Sequence, residues 1–196
     1  ASLSGLKITF VNMPLREAAT PNTPPEGPLI LAAILRRLDA EVYLIDLNGY
    51  RIKDGISEKR GLPNGRHLTC IEAENMLAKH IENVGDQDLI AFSGKITTLR
   101  WQEEMAKIVR KVQPDCFLVT GNGLATEIKQ GLFNWIPELD AIARSEGDNI
   151  IVDIAKDCMI IKEKGLKKAL EIGRLSRFYA GEISGKHRFI YEGGRP

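Results

Sequence analysis

Short apolar runs alternate along this chain with longer stretches in which apolar residues recur every three or four positions. That alternation predicts strand and helix units around a parallel sheet. "LKITFVN" (6–12) reads as a first strand and "PLILAAILRRLD" (28–39) as a first helix, with Pro28 in its first turn, where proline is tolerated. "EVYLIDLNG" (41–49) is a second strand, and residues 50–68, charged and carrying "GLPNG", a long exposed connection. The helix over 69–84 has Thr69 placed as its cap. "DLIAFSG" (88–94) is continuously apolar, as expected of a strand covered on both faces near the centre of a sheet.

The same reading predicts a helix over 98–113, a buried strand "DCFLVTGNG" (115–123), a short helix over 125–136 and a fifth strand over 139–147. A last helix over 148–157 opens on an acidic cap at Asp148. The tail differs in texture: "RFYAGEI" and "HRFIYEG" flank a Gly-Lys turn and read as a two-stranded ribbon. The expected fold is α/β: a doubly wound, Rossmann-like or flavodoxin-like five-stranded parallel sheet with a small C-terminal β-hairpin. The expected division is a main domain over 1–158 and a linker with hairpin over 159–196.

Composition narrows the function. Net charge is +1, with both signs interspersed, so the basic stripe of a nucleic-acid partner is missing. Cys70, Cys116 and Cys158 are odd in number and far apart, which fits a reducing, cytoplasmic setting better than a disulfide framework. No apolar run is long enough to predict a membrane partner. Gly-x-Gly-x-x-Gly after the first strand, the phosphate loop and the hydrolase elbow are all missing from the sequence. His67, His80 and His187 fall in the connection, on a charged helix and in the ribbon, and each reads as solvated. Trp101 and Trp135 belong to the core or a helix surface. No catalytic residue and no metal ligand is assigned.

An open parallel sheet binds ligands beyond the carboxyl ends of its strands. Those ends carry "NMPL" (12–15), "DLNGY" (46–50), "SGKITT" (93–98), "GNGLAT" (121–126) and "SEGD" (145–148). Glycines and small hydroxyls there allow a large, polar-rimmed ligand to approach the backbone. Each piece also has a plain structural meaning: Gly121 and Gly123 as turn residues, Ser93 as a helix cap, Glu146-Gly147-Asp148 as a turn and cap.

Taken together, "ITFVNMPL", "PPEGPLILAAIL", "EVYLIDLNG", "DLIAFSGKITT", "AKIVRKVQPDCFLVTGNGLAT" and "LDAIARSEGD" resemble the N-terminal cobalamin-binding domain of cobalamin-dependent radical S-adenosylmethionine (SAM) enzymes. The likeness spans residues 6–157, and the tail is similar to the linker hairpin that leads into the radical domain. It rests on Pro25, Gly27, Leu31, Ala32 and Leu35; on Ser93; on Gly121, Asn122 and Gly123; and on Ser145 to Asp148.

The resemblance implies a cobalamin-binding module, in a methyltransferase or related enzyme, that holds cobalamin over the carboxyl edge of the sheet. It implies cofactor contacts from Asn12, Met13, Pro14 and Leu15 in the first-strand loop and from Pro25 and Gly27. Further contacts would come from Ser93, Gly94, Lys95 and Thr97, from Gly121, Asn122, Gly123 and Leu124, and from Glu146 and Gly147. The Asp-x-His-x-x-Gly of other cobalamin carriers is replaced by Asn12-Met13-Pro14-Leu15, so that loop provides cobalt with no histidine. Cys-x-x-x-Cys-x-x-Cys is missing too, so S-adenosylmethionine and a 4Fe-4S cluster are implied only for a radical SAM domain, in cis or as a separate subunit. Ending on "GGRP", the chain reads as a piece cut where that domain would begin. The alternative is a flavodoxin-like module that binds another ligand or a protein partner and has no catalysis of its own.

Overall fold

A computed structural model describes residues 1–14, 24–50, 59 and 68–194. Leu15, His67 and most of the expected connection over 50–68 lie outside the described residues. In chain order the principal elements are β1 (Lys7–Asn12), α1 (Glu26–Arg36), β2 (Glu41–Asp46), α2 (Cys70–Val84), β3 (Leu89–Ser93), α3 (Leu99–Val112) and β4 (Phe117–Gly121). They continue with α4 (Gly123–Ile128), α5 (Leu132–Trp135), β5 (Ala141–Ser145), α6 (Ile151–Glu171), β6 (Tyr179–Ile183) and β7 (Lys186–Gly193).

The α/β class and the terminal hairpin are as expected, but among the described residues the sheet has seven strands rather than five, in the order β2-β1-β3-β4-β5-β7-β6. β7 pairs parallel with β5, and only β6, at the edge, runs antiparallel. The reason is the open flank of β5, whose backbone groups need partners. The crossover through α6 brings β7 there in the parallel sense. Phe189 and Tyr191 then enter the same core as Phe117 and Val119. Ser184 and Gly185 turn the hairpin with φ of 54° and 74°, matching the twist of the strands they join.

Alternation within β3 explains its continuous apolar run. Leu89 and Ala91 face one core with α1 and α6, while Ile90 and Phe92 face the other with α2 and α3. β3 lies between β1 and β4, towards the middle of the sheet. Thr69 caps α2 with a complete capping box: its hydroxyl accepts from Glu72 N, and the Glu72 carboxylate accepts from Thr69 N.

Three helical expectations are corrected. The stretch over 125–136 divides into α4, a short 3-10 turn and α5, because Lys129 takes a φ of 59°. Asp148 does not cap the last helix; α6 starts at Ile151 behind Ile150, with no side-chain cap. α6 also runs to Glu171, broken at Gly165 (φ 79°), because Ile160, Ile161 and Leu166 keep its apolar face on the core. His80 is half-buried rather than fully solvated: its Nε2 lies 2.9 Å from the Thr9 hydroxyl, and burial lowers its pKa. Among the described residues, no helix is long and apolar enough to cross a membrane.

Candidate functional site

The carboxyl ends of β1, β3, β4 and β5 converge on a cavity of about 230 Å3 between the sheet, α1 and α6. Its sheet wall is formed by Phe10, Ala91, Val119 and Ala143, and its helical wall by Leu31, Ile151 and Ile154. The two alanines matter, because short side chains on strands flanking β4 leave room that leucine or isoleucine would fill. Ser93, Asn122, Ser145 and Asp148 give the lining its polar members. Among its described residues, the lining contains no lysine or arginine.

The rim is held by unusual backbone. Asn122, directly after β4, has φ 73° and ψ −163°, a region that side chains other than glycine's rarely enter. Ser145, at the end of β5, has φ 63°. Such residues cost about 1–3 kcal/mol each, and persist only where the surroundings impose them. The surroundings are visible here. Asn122 Nδ2 donates to Ser93 Oγ at 3.3 Å, and Asn122 Oδ1 accepts from Gly123 N at 2.7 Å. Thr126 Oγ1 donates to the Asn122 carbonyl at 3.1 Å and accepts from Ser145 N at 3.0 Å.

Two glycines permit close approaches behind this rim. A Cβ on Gly147 would come within 3.2 Å of Leu31, so the turn after β5 lies directly against α1. A Cβ on Gly193 would fall on the backbone of Glu146, where that turn rests on the end of β7. Glu146 N donates to the Gly193 carbonyl at 3.3 Å.

Of the expected cofactor contacts, Gly27, Ser93, Gly121, Asn122 and Gly147 line the cavity, and so do Leu31, Ser145 and Asp148, which also carry the resemblance. Others share the sheet edge without reaching it. Asn12 Nδ2 donates to Asp46 Oδ1 at 2.9 Å, and Met13 and Pro14 are buried, Met13 N donating to the Ser93 carbonyl at 3.0 Å. Pro25 is the N-cap residue of α1. Gly94 is buried against Thr98 and Gln102, where a Cβ would collide with both side chains. That pair belongs to a buried polar chain in which Thr120 Oγ1 donates to Gln102 Oε1 at 2.6 Å and Gln102 Nε2 to Thr98 Oγ1 at 3.2 Å. Lys95 and Thr97 are exposed, Gly123 has open space where a Cβ would stand, and Leu124 is wholly buried in the core of the opposite face. Glu146 is exposed beside the cavity-lining Gly147.

Sequence reasoning did not single out Ala91, Ala143, Thr126 or Gly193. Thr126 carried a faint signal, a hydroxyl shortly after a Gly-Asn-Gly turn. Gly193 carried none, because its neighbour Glu146 is reached only once β7 joins β5. Compared with known proteins, the chain matches no family model and no curated sequence.

Proposed function

We propose that this chain is the cobalamin-holding module of a radical SAM enzyme, a methyltransferase by its resemblance, with the cofactor over the carboxyl edge of the sheet. The observation that carries the reading is the cavity at the ends of β1, β3, β4 and β5, apolar within and hydrogen-bonding at its rim. Its residues suit one part of such a cofactor. Ala91, Ala143 and Gly121 leave a slot for a flat apolar group, and Ser93 and Asn122 add a hydroxyl and an amide to its lining, chemistry that suits an amide-edged ligand. At about 230 Å3 the slot takes a portion of a corrinoid, not the whole.

When bound, cobalamin would supply a cobalt-held methyl group for transfer. The chain's own part is to hold and orient it. Asn12, Met13 and Pro14, the described part of the first-strand loop, include no histidine and so would offer cobalt no imidazole. Residues 145–148 and the N-terminal turn of α1 would flank the entrance. S-adenosylmethionine and the 4Fe-4S cluster would belong to a radical SAM domain beyond these residues.

A second reading is a flavodoxin-like module, favoured by the order β2-β1-β3-β4-β5, which is the flavodoxin order. The lining does not separate the two readings, because cobalamin, like flavin mononucleotide, carries a phosphate, and no described lining residue is basic. The test is a spectroscopic titration of the chain with hydroxocobalamin and, in parallel, flavin mononucleotide, each followed by desalting. Retention of the corrin spectrum supports the proposal. Retention of the flavin alone, or of neither, overturns it.

A further inference from the structure

We infer that Thr126 is a positioning residue for this rim, clasping the ends of β4 and β5 into the geometry that a ligand meets. The backbone pairing between β4 and β5 covers Val119↔Ala141 and Thr120↔Ile142 and then stops. Beyond that point the two strand ends bound the cavity through Gly121, Asn122, Ala143 and Ser145. Thr126, in α4, stands where the ladder has stopped. Its hydroxyl has one proton and accepting lone pairs, and uses both capacities: it donates to the Asn122 carbonyl and accepts from Ser145 N. One side chain therefore ties together the two positive-φ residues, Asn122 on one strand end and Ser145 on the next.

Asn122 carries the clasp further by donating to the Ser93 hydroxyl of β3. Three strand ends are joined through side chains at the level where the sheet opens. A rim ordered in advance spares a ligand the entropy of ordering it, so the clasp acts on affinity for a ligand with an apolar body and an uncharged hydrogen-bonding edge. This rests on the reading of the cavity as a cofactor site.

The test uses Thr126→Val, which keeps the shape and removes the hydroxyl, and Thr126→Ser, which keeps the hydroxyl. Amide hydrogen exchange at Ser145 is followed by NMR in the ligand-free protein, and hydroxocobalamin affinity is measured alongside the thermal midpoint. Thr126→Val, which removes both hydroxyl bonds, should exchange the Ser145 amide about tenfold faster, as expected for the one bond that amide loses, and should bind about tenfold more weakly. Thr126→Ser should restore both. Unchanged exchange and affinity in Thr126→Val, or failure of Thr126→Ser to restore them, overturns the clasp. If the valine variant does not fold, Thr126→Ala is measured in its place. If the unmutated chain retains no hydroxocobalamin, the cofactor reading falls, and the exchange measurement alone decides whether Thr126 holds the rim.

Discussion

The two ends of the sheet present opposite solutions to the same problem of finishing a parallel ladder. At the amino end lies the larger hollow, about 700 Å3, bordered by Asp88, Arg110, Asp140 and Lys162. These four charges are committed. Asp88 Oδ2 accepts from Lys7 N at 2.8 Å and from Lys162 Nζ at 3.0 Å. Arg110 pairs with Asp140 at 2.7 Å and donates to the carbonyls of Pro114, Cys116 and Glu138. At the carboxyl end the cavity is smaller, its wall apolar, its backbone strained at Asn122 and Ser145. Volume and lining chemistry therefore favour different ends. Charges that sew strand starts together mark structure, whereas strain maintained around an apolar slot marks a surface kept ready for something else.

The largest effect is expected at Gly193. Gly193→Val places side-chain atoms on the Glu146 backbone, which has no flexible end to move aside. Urea unfolding should show a loss of roughly 3 kcal/mol or more, and ligand retention should fall with it, since the displaced turn carries Gly147. A variant as stable as the parent would mean that β7 does not buttress the site.

Arg110→Ala probes the other end. Losing one partly buried ion pair and three carbonyl contacts should cost about 2–3 kcal/mol, while hydroxocobalamin retention stays unchanged. A selective loss of binding would move the site to the amino end.

Asp157 lies on α6 between the two ends, after the cavity-lining Ile154 and before Cys158, which lines the amino-end hollow. Its side chain is fully buried, Oδ2 accepts from Tyr191 OH at 2.7 Å, and Oδ1 lies 3.2 Å from Arg174 Nε. Asp153, one turn earlier, pairs with Arg174 and faces Arg177 at 3.9 Å. Burial lifts the Asp157 carboxyl from 3.8 to about 6, with the Tyr191 hydrogen bond and Arg177 pulling against it. Because the folded value is the higher one, the group's contribution is complete below the unfolded value and is lost as pH rises through about 6. That contribution is on the order of 2–3 kcal/mol. Asp157→Asn should flatten the stability profile between roughly pH 4 and 7. An unaltered slope would assign the titration to another group.

The smallest effect on stability belongs to Gly121→Val. A Cβ there meets Ala143 at an ordinary 3.7 Å, so unfolding free energy should change by no more than about 1 kcal/mol. The two added methyls occupy the slot, and corrin retention after desalting should be lost. Gly123→Ala, with open space around its Cβ, is the control that should retain it, apart from a small conformational effect.

Periodicity alone determined the α/β class, the place of β3 within the sheet, the Thr69 cap and the terminal hairpin, because each depends on neighbours within a few residues in the chain. It also brought Ser93, Gly121, Asn122 and Gly147 to the edge that bounds the carboxyl-end cavity, since a strand's carboxyl end is legible wherever its apolar run stops. Only the tertiary structure decided that β7 extends the sheet, that Gly94 and Leu124 serve the interior, and that Thr126 and Gly193 support the rim. Those facts are set by contacts across strands far apart in sequence: Ser145 with Gly193 in register, and the Thr126 hydroxyl against the Ser145 amide. A local pattern records which face of an element is apolar, but which element lies against that face is settled by packing, when the open flank of β5 takes β7 as its partner.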